Sequence, residues 1–220
     1  MSDDDERVGS ARFRGDWTEV DLGRVLALSD GVFAIALTVL VLEIALPPTT
    51  TADTLGRNLR DLGPKYFAYA LTFVTIGAMW LIHRLAFRRI VRTNLTLLVI
   101  NLLLLMSVAF QPFPTAVLGE FGGNPTATVF YACSISVTSV LSSGLWWYVS
   151  GDRGLLDPNT DPAWIRAGRL RTSLGTVVFL LSIPVAAVAP FVAEAMWLAT
   201  FPLRFLVPRL LGHRGDPALD

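Results

Sequence analysis

The sequence predicts an all-α integral membrane protein in which each subunit has six transmembrane helices. Of the 220 residues, 53% are hydrophobic and only 16% are charged, whereas soluble domains carry about 25% charged residues. Six apolar stretches approach the length of about 20 residues that a helix needs to cross a bilayer. The basic residues collect on alternate sides of these stretches, as they do in multi-pass proteins.

The predicted spans follow one another without an internal repeat. They are residues 25–46, 66–82, 95–110, 127–149, 174–188 and 191–207. Pro184 is expected to bend the fifth span, and Pro190 to mark the turn into the sixth. The sixth is the weakest candidate because it is short and carries Pro202 and Arg204. The segments "PPTTTADT" and "LLDPNTDPAW" are predicted to be loops, and "PFPTAVLGEFGGN" to belong to an outer loop.

Polar segments flank the predicted spans. We expect residues 1–23 to form a cytoplasmic N-terminal tail, residues 24–207 the membrane domain, and residues 208–220 a short cytoplasmic C-terminal tail. Residues 1–23 also lack the apolar core of a signal peptide.

The basic residues predict the orientation of the chain. Fifteen arginines lie in the two ends of the chain and in the loops after spans two and four. The other side has only Arg57, Arg60 and Lys65. Because cytoplasmic loops are enriched in lysine and arginine, both termini are predicted to be cytoplasmic.

Motifs for catalysis and cofactor binding are missing from the sequence. It has no phosphate-binding loop, dinucleotide fingerprint, HExxH or CxxC pattern. Its histidines, His83 and His213, are too few for a histidine-rich metal site, and the single Cys133 excludes an intramolecular disulfide. The net charge is zero, so no overall basic field predicts a nucleic-acid partner. We therefore predict no enzyme, no cofactor and no fixed metal site.

The first span contains acids near both of its ends. Asp30 and Glu43 are separated by about 20 Å along a helix, which is less than the hydrocarbon thickness of about 30 Å. Ionisable groups inside a membrane face protein or water rather than lipid. We therefore predict that span one is a central helix, shielded by its neighbours.

One stripe of span one repeats with helical spacing. It consists of Arg24, Leu28, Gly31, Ile35, Thr38 and Leu42. The stripe is mostly apolar and has a single hydroxyl group, at Thr38. As a packing seam it would need no further explanation, since serine and threonine are common in membrane helices and bond their own backbone.

A polar cluster is predicted where the first three spans approach the cytoplasm. Its members are Arg24, Ser29, Asp30, Trp80, His83 and Asn101. A hydrogen-bonded network of these residues would pin the three helices together. The alternative is a proton relay through Asp30 and His83, because histidine titrates near neutral pH.

The stretch "RVLALSDGVFAIALTVLVLE" resembles the signature "RxxxFSDGxxAIxxTxxxLE" of the transmembrane-protein-175 family, the endosomal and lysosomal potassium channels and their bacterial relatives. The matching residues are Arg24, Ser29, Asp30, Gly31, Ala34, Ile35, Thr38, Leu42 and Glu43. "MWLIHR" and "NLLLLMSVAFQPFPTAVLGEF" agree as well, so the resemblance covers about residues 20–207. One departure is Leu28, where the family usually has phenylalanine.

The resemblance implies a potassium-preferring cation channel in the bacterial cell membrane, built as a homotetramer with span one lining the pore. It assigns Ile35 to a narrow constriction, Thr38 to the layer that prefers potassium, and Leu42 to an outer apolar ring. Potassium would pass near Thr38 without a fixed metal site. Arg24, Ser29 and Asp30, with His83 and Asn101, would hold span one in place.

Two other functions are compatible with the residues. A proton-coupled transporter would use Asp30, Glu43 and His83 as its relay and would show saturable flux, but it would usually have internal repeats and broken helices. A non-conducting membrane scaffold would leave potassium flux at background.

Overall fold

The computed structural model describes residues 17–151 and 153–210, with side chains for residues 22–151 and 153–200. The described part is helical and contains eight α-helices and one 3-10 turn. They are α1 (Trp17–Val39), the 3-10 turn (Leu40–Glu43), α2 (Leu55–Asp61), α3 (Gly63–Phe87), α4 (Leu95–Phe110), α5 (Pro112–Glu120), α6 (Pro125–Val149), α7 (Pro162–Val188) and α8 (Pro190–Leu210). The all-α prediction is confirmed for these residues, while residues 1–16 and 211–220 of the predicted tails lie outside them.

Local sequence signals explain where several helices begin. Asn94, Asn124 and Asp161 precede α4, α6 and α7, and each side chain accepts a hydrogen bond from a backbone N–H of the first turn. Such caps satisfy donors that have no partner within the helix. Pro125 and Pro162 follow two of these caps, at positions where the missing N–H of proline costs nothing.

Five helical segments are long and apolar enough to cross a membrane among the described residues. They are Leu22–Glu43, Gly63–Phe87, Leu95–Glu120, Pro125–Val149 and Pro162–Val188. Helix α8 has 21 residues, but its side chains are described only as far as Thr200. The count of six spans therefore stays a prediction.

The predicted outer loop around "PFPTAVLGEFGGN" is wrong for most of its length, because it contains α5. Pro112 and Pro114 are buried at the start of this helix, where the first turn needs no N–H donors. Near its end, a Cβ added to Gly119 would lie 3.1 Å from the Cα of Lys65. Glycine thus lets α5 approach the start of α3 closely, and hydropathy alone does not report this packing.

The fifth helix begins earlier than the predicted start at residue 174. Helix α7 starts at Pro162 and continues through Pro184 to Val188. Its first three turns carry Arg166, Arg169 and Arg171, so a search for apolar runs passes over them. Helix α8 begins at Pro190, which agrees with the predicted turn.

Backbone contacts identify the two ends of the bundle. The loop after α3 pairs with the loop after α6, since Val91 N donates to Leu155 O at 2.8 Å and Asp157 N donates to Arg89 O at 2.9 Å. At the other end, Lys65 Nζ lies 2.6 Å from Glu120 Oε2. The two arginine-rich internal loops therefore share one end, as the predicted orientation requires.

Helix α1 lies at the edge of the single subunit, so the prediction of a central helix is wrong for the isolated chain. It packs on α3 and α4, and its 3-10 turn packs on α3 and α5. In the most apolar 18-residue stretch of each helix, only 22% is buried for α1, compared with 44% for α3 and 50% for α6. The polar residues in span one required shielding, but sequence alone did not say whether the shield belongs to the same subunit.

Candidate functional site

The bundle-facing side of α1 is buried, and the opposite side is open. Ser29, Phe33, Ala36 and Leu40 are buried, whereas Leu28, Gly31, Ile35, Thr38 and Leu42 are exposed. The exposed fractions of Leu28, Ile35 and Leu42 are 51%, 65% and 72%. We call these five exposed residues the open stripe. They coincide with the periodic stripe in the sequence apart from Arg24, which is also exposed.

The open stripe is not a packing seam within the described part of the subunit. A Cβ added to Gly31 would meet nothing within 4 Å. Ile35 and Leu42 are more exposed than most large apolar side chains of the spanning helices. The stripe is therefore available to lipid, to water or to another copy of the chain.

Thr38 supplies the hydroxyl group on the open stripe. Its Oγ1 donates a hydrogen bond to the carbonyl oxygen of Ile35 at 2.9 Å. This contact uses the hydroxyl proton, while the oxygen keeps lone pairs that can accept a hydrogen bond or coordinate a cation. The backbone bond and a contact with an ion are thus compatible.

A hydrogen-bonded chain joins the buried side of α1 to α3 and α4. The amide Nδ2 of Asn101 donates to Ser29 Oγ at 3.1 Å, and Asn101 Oδ1 lies 2.8 Å from His83 Nε2. Because an amide oxygen only accepts, Nε2 carries the proton in this arrangement. Ser29 Oγ donates in turn to Val25 O at 2.8 Å. All three side chains of the chain, those of Ser29, His83 and Asn101, are buried.

Asp30 and Trp80 form a separate pair between α1 and α3. Trp80 Nε1 donates to Asp30 Oδ1 at 2.7 Å, and the guanidinium carbon of Arg84 lies 5.5 Å from the centre of the Trp80 ring. Five of the six predicted network residues thus divide into two groups, and the sixth, Arg24, makes no hydrogen bond or ion pair with the described side chains.

No continuous hydrogen-bonded path links the three groups of the suggested proton relay among the described residues. Asp30 bonds Trp80, whereas His83 bonds Asn101, and His83 Nδ1 is buried without a hydrogen-bond partner. Glu43 lies in the 3-10 turn, beyond Thr38 and away from both groups. None of the described side chains bonds or pairs with it.

A second polar cluster connects α3, α5 and α6, and the sequence reasoning missed it. Thr72 Oγ1 lies 2.9 Å from Tyr131 OH, and Thr115 Oγ1 lies 3.0 Å from Thr72 Oγ1. Just before α5, Gln111 Nε2 donates to Thr138 Oγ1 of α6 at 2.8 Å. Polar side chains inside otherwise apolar runs were the available signal. The cluster fastens α5, which in turn packs on the 3-10 turn at the end of α1.

The comparisons with known proteins agree with this architecture. The family model described as endosomal/lysosomal potassium channel TMEM175 matches residues 24–112. A potassium channel of Streptomyces collinus is 37% identical over 171 residues, which are 76% of this chain and 83% of that protein. The crystal structure of a lysosomal potassium-selective channel TMEM175 homolog from Chamaesiphon minutus has a TM-score of 0.69 at 30% identity, covering 90% of this chain and 100% of that chain.

A more distant relative has a different ion in its name. The human endosomal/lysosomal proton channel TMEM175 is 25% identical over 156 residues, which are 70% of this chain and 31% of that protein. The bacterial relative from Streptomyces, by contrast, matches along most of its own length. Together with the family match, this similarity shows that the chain belongs to the TMEM175 family.

Proposed function

We propose that the protein is a potassium-preferring cation channel, in which the open stripe of α1 lines the pore of a homotetramer. The exposed stripe is the observation that carries the proposal. It presents small, apolar and hydroxyl side chains along a membrane-spanning helix that lies at the edge of the subunit and is not surrounded by its other helices. The names of the bacterial relatives support potassium as the permeant ion. Four α1 helices facing one axis would supply the shielding that a single subunit does not.

Rings of Ile35 and Leu42 act as the apolar constrictions of the proposed pore. A narrow apolar ring expels water, so it closes a pore without a charged plug. Rotation of α1 would move these bulky side chains away from the axis. The site at Gly31, where an added Cβ meets nothing, would then leave the pore wide on the cytoplasmic side.

A ring of Thr38 hydroxyls between these constrictions gives the preference for potassium. It lies about 4.5 Å along the helix from Ile35. Hydroxyl oxygens replace part of the hydration shell, and potassium sheds water more easily than sodium. We therefore expect a modest preference, without the strict selectivity of a carbonyl cage, and no fixed metal site.

In this proposal, the side of α1 opposite the open stripe attaches the helix to the rest of the subunit. The chain of Ser29, Asn101 and His83 holds the helix against α4 and α3, and the exposed Asp30 adds a second interhelical hydrogen bond, to Trp80 of α3. Interhelical hydrogen bonds of this kind contribute about 0.6–2 kcal/mol each in membranes. They are strong enough to set the rotation of α1 and weak enough to exchange during opening.

The remaining topology is proposed from the charge distribution. Six spans, the sixth formed by α8, place both termini and the arginine-rich end of the bundle in the cytoplasm of a bacterial cell. The polar tails at 1–23 and 208–220 lie on that side. The bilayer and three further copies of the chain are then the partners of each subunit.

Proton conduction is the second candidate function. The name of the human relative and the buried His83 favour it. The separation of Asp30 and His83 into two hydrogen-bonded groups argues against a fixed relay, although a water-filled pore would pass protons without one. A pH-sensitive dye inside the vesicles, read in parallel with the potassium flux, separates the two ions.

Potassium-driven flux into liposomes containing the purified protein tests the proposal. Ile35→Asn should raise the flux about tenfold by wetting the constriction, and Thr38→Ala should lower the preference for potassium over sodium. Val177→Asn is the matched control, because Val177 is an exposed apolar residue of α7 and should leave both quantities unchanged. Background flux in the wild type, or unchanged behaviour of both α1 variants, would remove the open stripe from the pore.

A further inference from the structure

Tryptophan and arginine side chains surround the junction of α6 and α7 at the arginine-rich end of the bundle. The Trp146 and Trp164 rings lie 5.0 Å apart. The guanidinium carbon of Arg89 lies 5.8 Å from the Trp164 ring, and that of Arg169 lies 4.4 Å from the Trp147 ring. We call these five residues the collar.

A crevice opens beside the collar, between α3, α6 and α7. It is lined by Ile82, Leu85, Trp146, Trp164, Gly168 and Arg171. A Cβ added to Gly168 would overlap the Trp146 ring, so the indole ring rests directly on the backbone of α7. The absence of a side chain at Gly168 thus lets the ring form an apolar wall of the crevice.

The charge around the crevice has one dominant sign. The described segments 84–92 and 153–171 contain eight arginines and two aspartates. Both aspartates already accept backbone hydrogen bonds, Asp157 from Asn159 N at 2.8 Å and Asp161 from Ala163 N at 2.7 Å. The surface therefore complements an anion, and the partly exposed Ile82 and Leu85 at the mouth of the crevice offer apolar contact beside it.

The position of the collar along the helices corresponds to the headgroup level of a bilayer. Helix α6 ends at Val149, directly after Trp146, Trp147 and Tyr148, and the long apolar run of α7 begins only after its arginines. Indole rings are enriched at this depth, where one part of the ring meets hydrocarbon and the other meets water. A ligand of the crevice would thus reach it from the lipid leaflet.

We propose that the crevice binds an anionic phospholipid of the adjacent leaflet. The exposed Arg89 guanidinium pairs with the lipid phosphate, and one acyl chain lies over the partly exposed Ile82 and Leu85 of α3, two turns and one turn before it, at the mouth of the crevice. Arginine suits this role because its planar fork matches phosphate oxygens. Contact with Ile82 and Leu85 favours a lipid over free phosphate, which would leave these side chains without an apolar partner.

Native mass spectrometry of the full chain tests this site. The protein is purified in detergent with equal amounts of phosphatidylglycerol and phosphatidylcholine, and the lipids that remain bound are counted. The wild type should retain phosphatidylglycerol preferentially. Arg89→Gln should reduce that retention roughly fivefold, as expected for one basic group near an anionic surface, and Arg89→Lys should restore only part of it, because the charge returns without the planar fork.

Arg57→Gln is the matched control, since Arg57 is an exposed arginine of α2 at the opposite end of the bundle. It should retain phosphatidylglycerol like the wild type. Equal retention by Arg89→Gln and the wild type would overturn the proposal, as would an equal loss in Arg57→Gln. Displacement of the lipid by millimolar inorganic phosphate alone would also contradict it, because the acyl chain would then contribute nothing.

Discussion

The two sides of α1 are similar in hydrophobicity and different in what they contact. The bundle-facing side carries Ser29 and Phe33, both buried, and the open stripe carries Ile35 and Thr38, both exposed. In water, such a difference would follow from polarity, but a membrane makes apolar residues equally acceptable on both sides. What separates the sides is the set of partners. One side has fixed hydrogen bonds to α3 and α4, and the other has none within the described subunit.

One side of the helix is therefore expected to serve folding, and the other the proposed conduction. Substitutions on the bundle-facing side should destabilise the subunit. Substitutions on the open stripe should change ion flux while the subunit stays folded.

Phe33→Ala should have the largest effect on stability. Phe33 is 1% exposed, and its ring centre lies 5.6 Å from that of His83. Truncation of a buried phenylalanine leaves a cavity that costs about 3–5 kcal/mol. Thermal unfolding in detergent should therefore show a strongly lowered Tm. The control is Leu42→Ala on the open stripe, and equal losses in both variants would contradict the division.

Asn101→Leu should have an intermediate effect. The substitution keeps a similar volume and removes both the donor to Ser29 and the acceptor of His83. The loss should be about 1–3 kcal/mol, because buried polar groups are left without partners. Unfolding in detergent measures it, with Leu102→Asn as a control for a change at an exposed α4 position. A variant as stable as the wild type would show that the network does not hold α1.

Thr38→Val should have the smallest effect on stability and a clear effect on selectivity. Valine matches the shape of threonine, and the exposed site makes a change of more than about 0.5 kcal/mol unexpected. The hydroxyl lone pairs disappear, so the reversal potential under opposed potassium and sodium gradients should move towards zero. An unchanged reversal potential would remove Thr38 from the ion path.

The fold could be predicted from the sequence where hydropathy and helix length act together. The start of α4 at residue 95 and its end at residue 110 agree with the prediction, because both borders are also marked by polar residues. Helix α5 and the first three turns of α7 could not be found in this way. The prolines of α5 predict a loop by composition, although they are buried in a helix. The arginines of α7 lower the hydropathy of its first turns, so the helix begins before the apolar run.

The candidate site was accessible to sequence reasoning only in part. The helical spacing of span one placed Ile35 and Thr38 on one stripe. Because histidine and asparagine are rare in apolar runs, His83 and Asn101 were predicted as hydrogen-bond partners of the polar residues in span one. The sequence could not show that Asp30 selects Trp80 rather than His83, because rotamers decide that choice. Nor could it show that α1 lies at the edge of its subunit, since shielding by another subunit leaves the same pattern.

Cysteine accessibility tests the central claim most directly. In a Cys133→Ser background, which removes the exposed native thiol, Thr38→Cys and Leu42→Cys are treated with a charged, membrane-impermeant thiol reagent during flux. Both variants should be modified and should lose most of their potassium flux. Val177→Cys, at an exposed apolar position of α7 away from the open stripe, should remain unmodified. Full flux after treatment of both α1 variants, with free thiols recovered afterwards, would contradict the claim that the open stripe lines a water-filled pore.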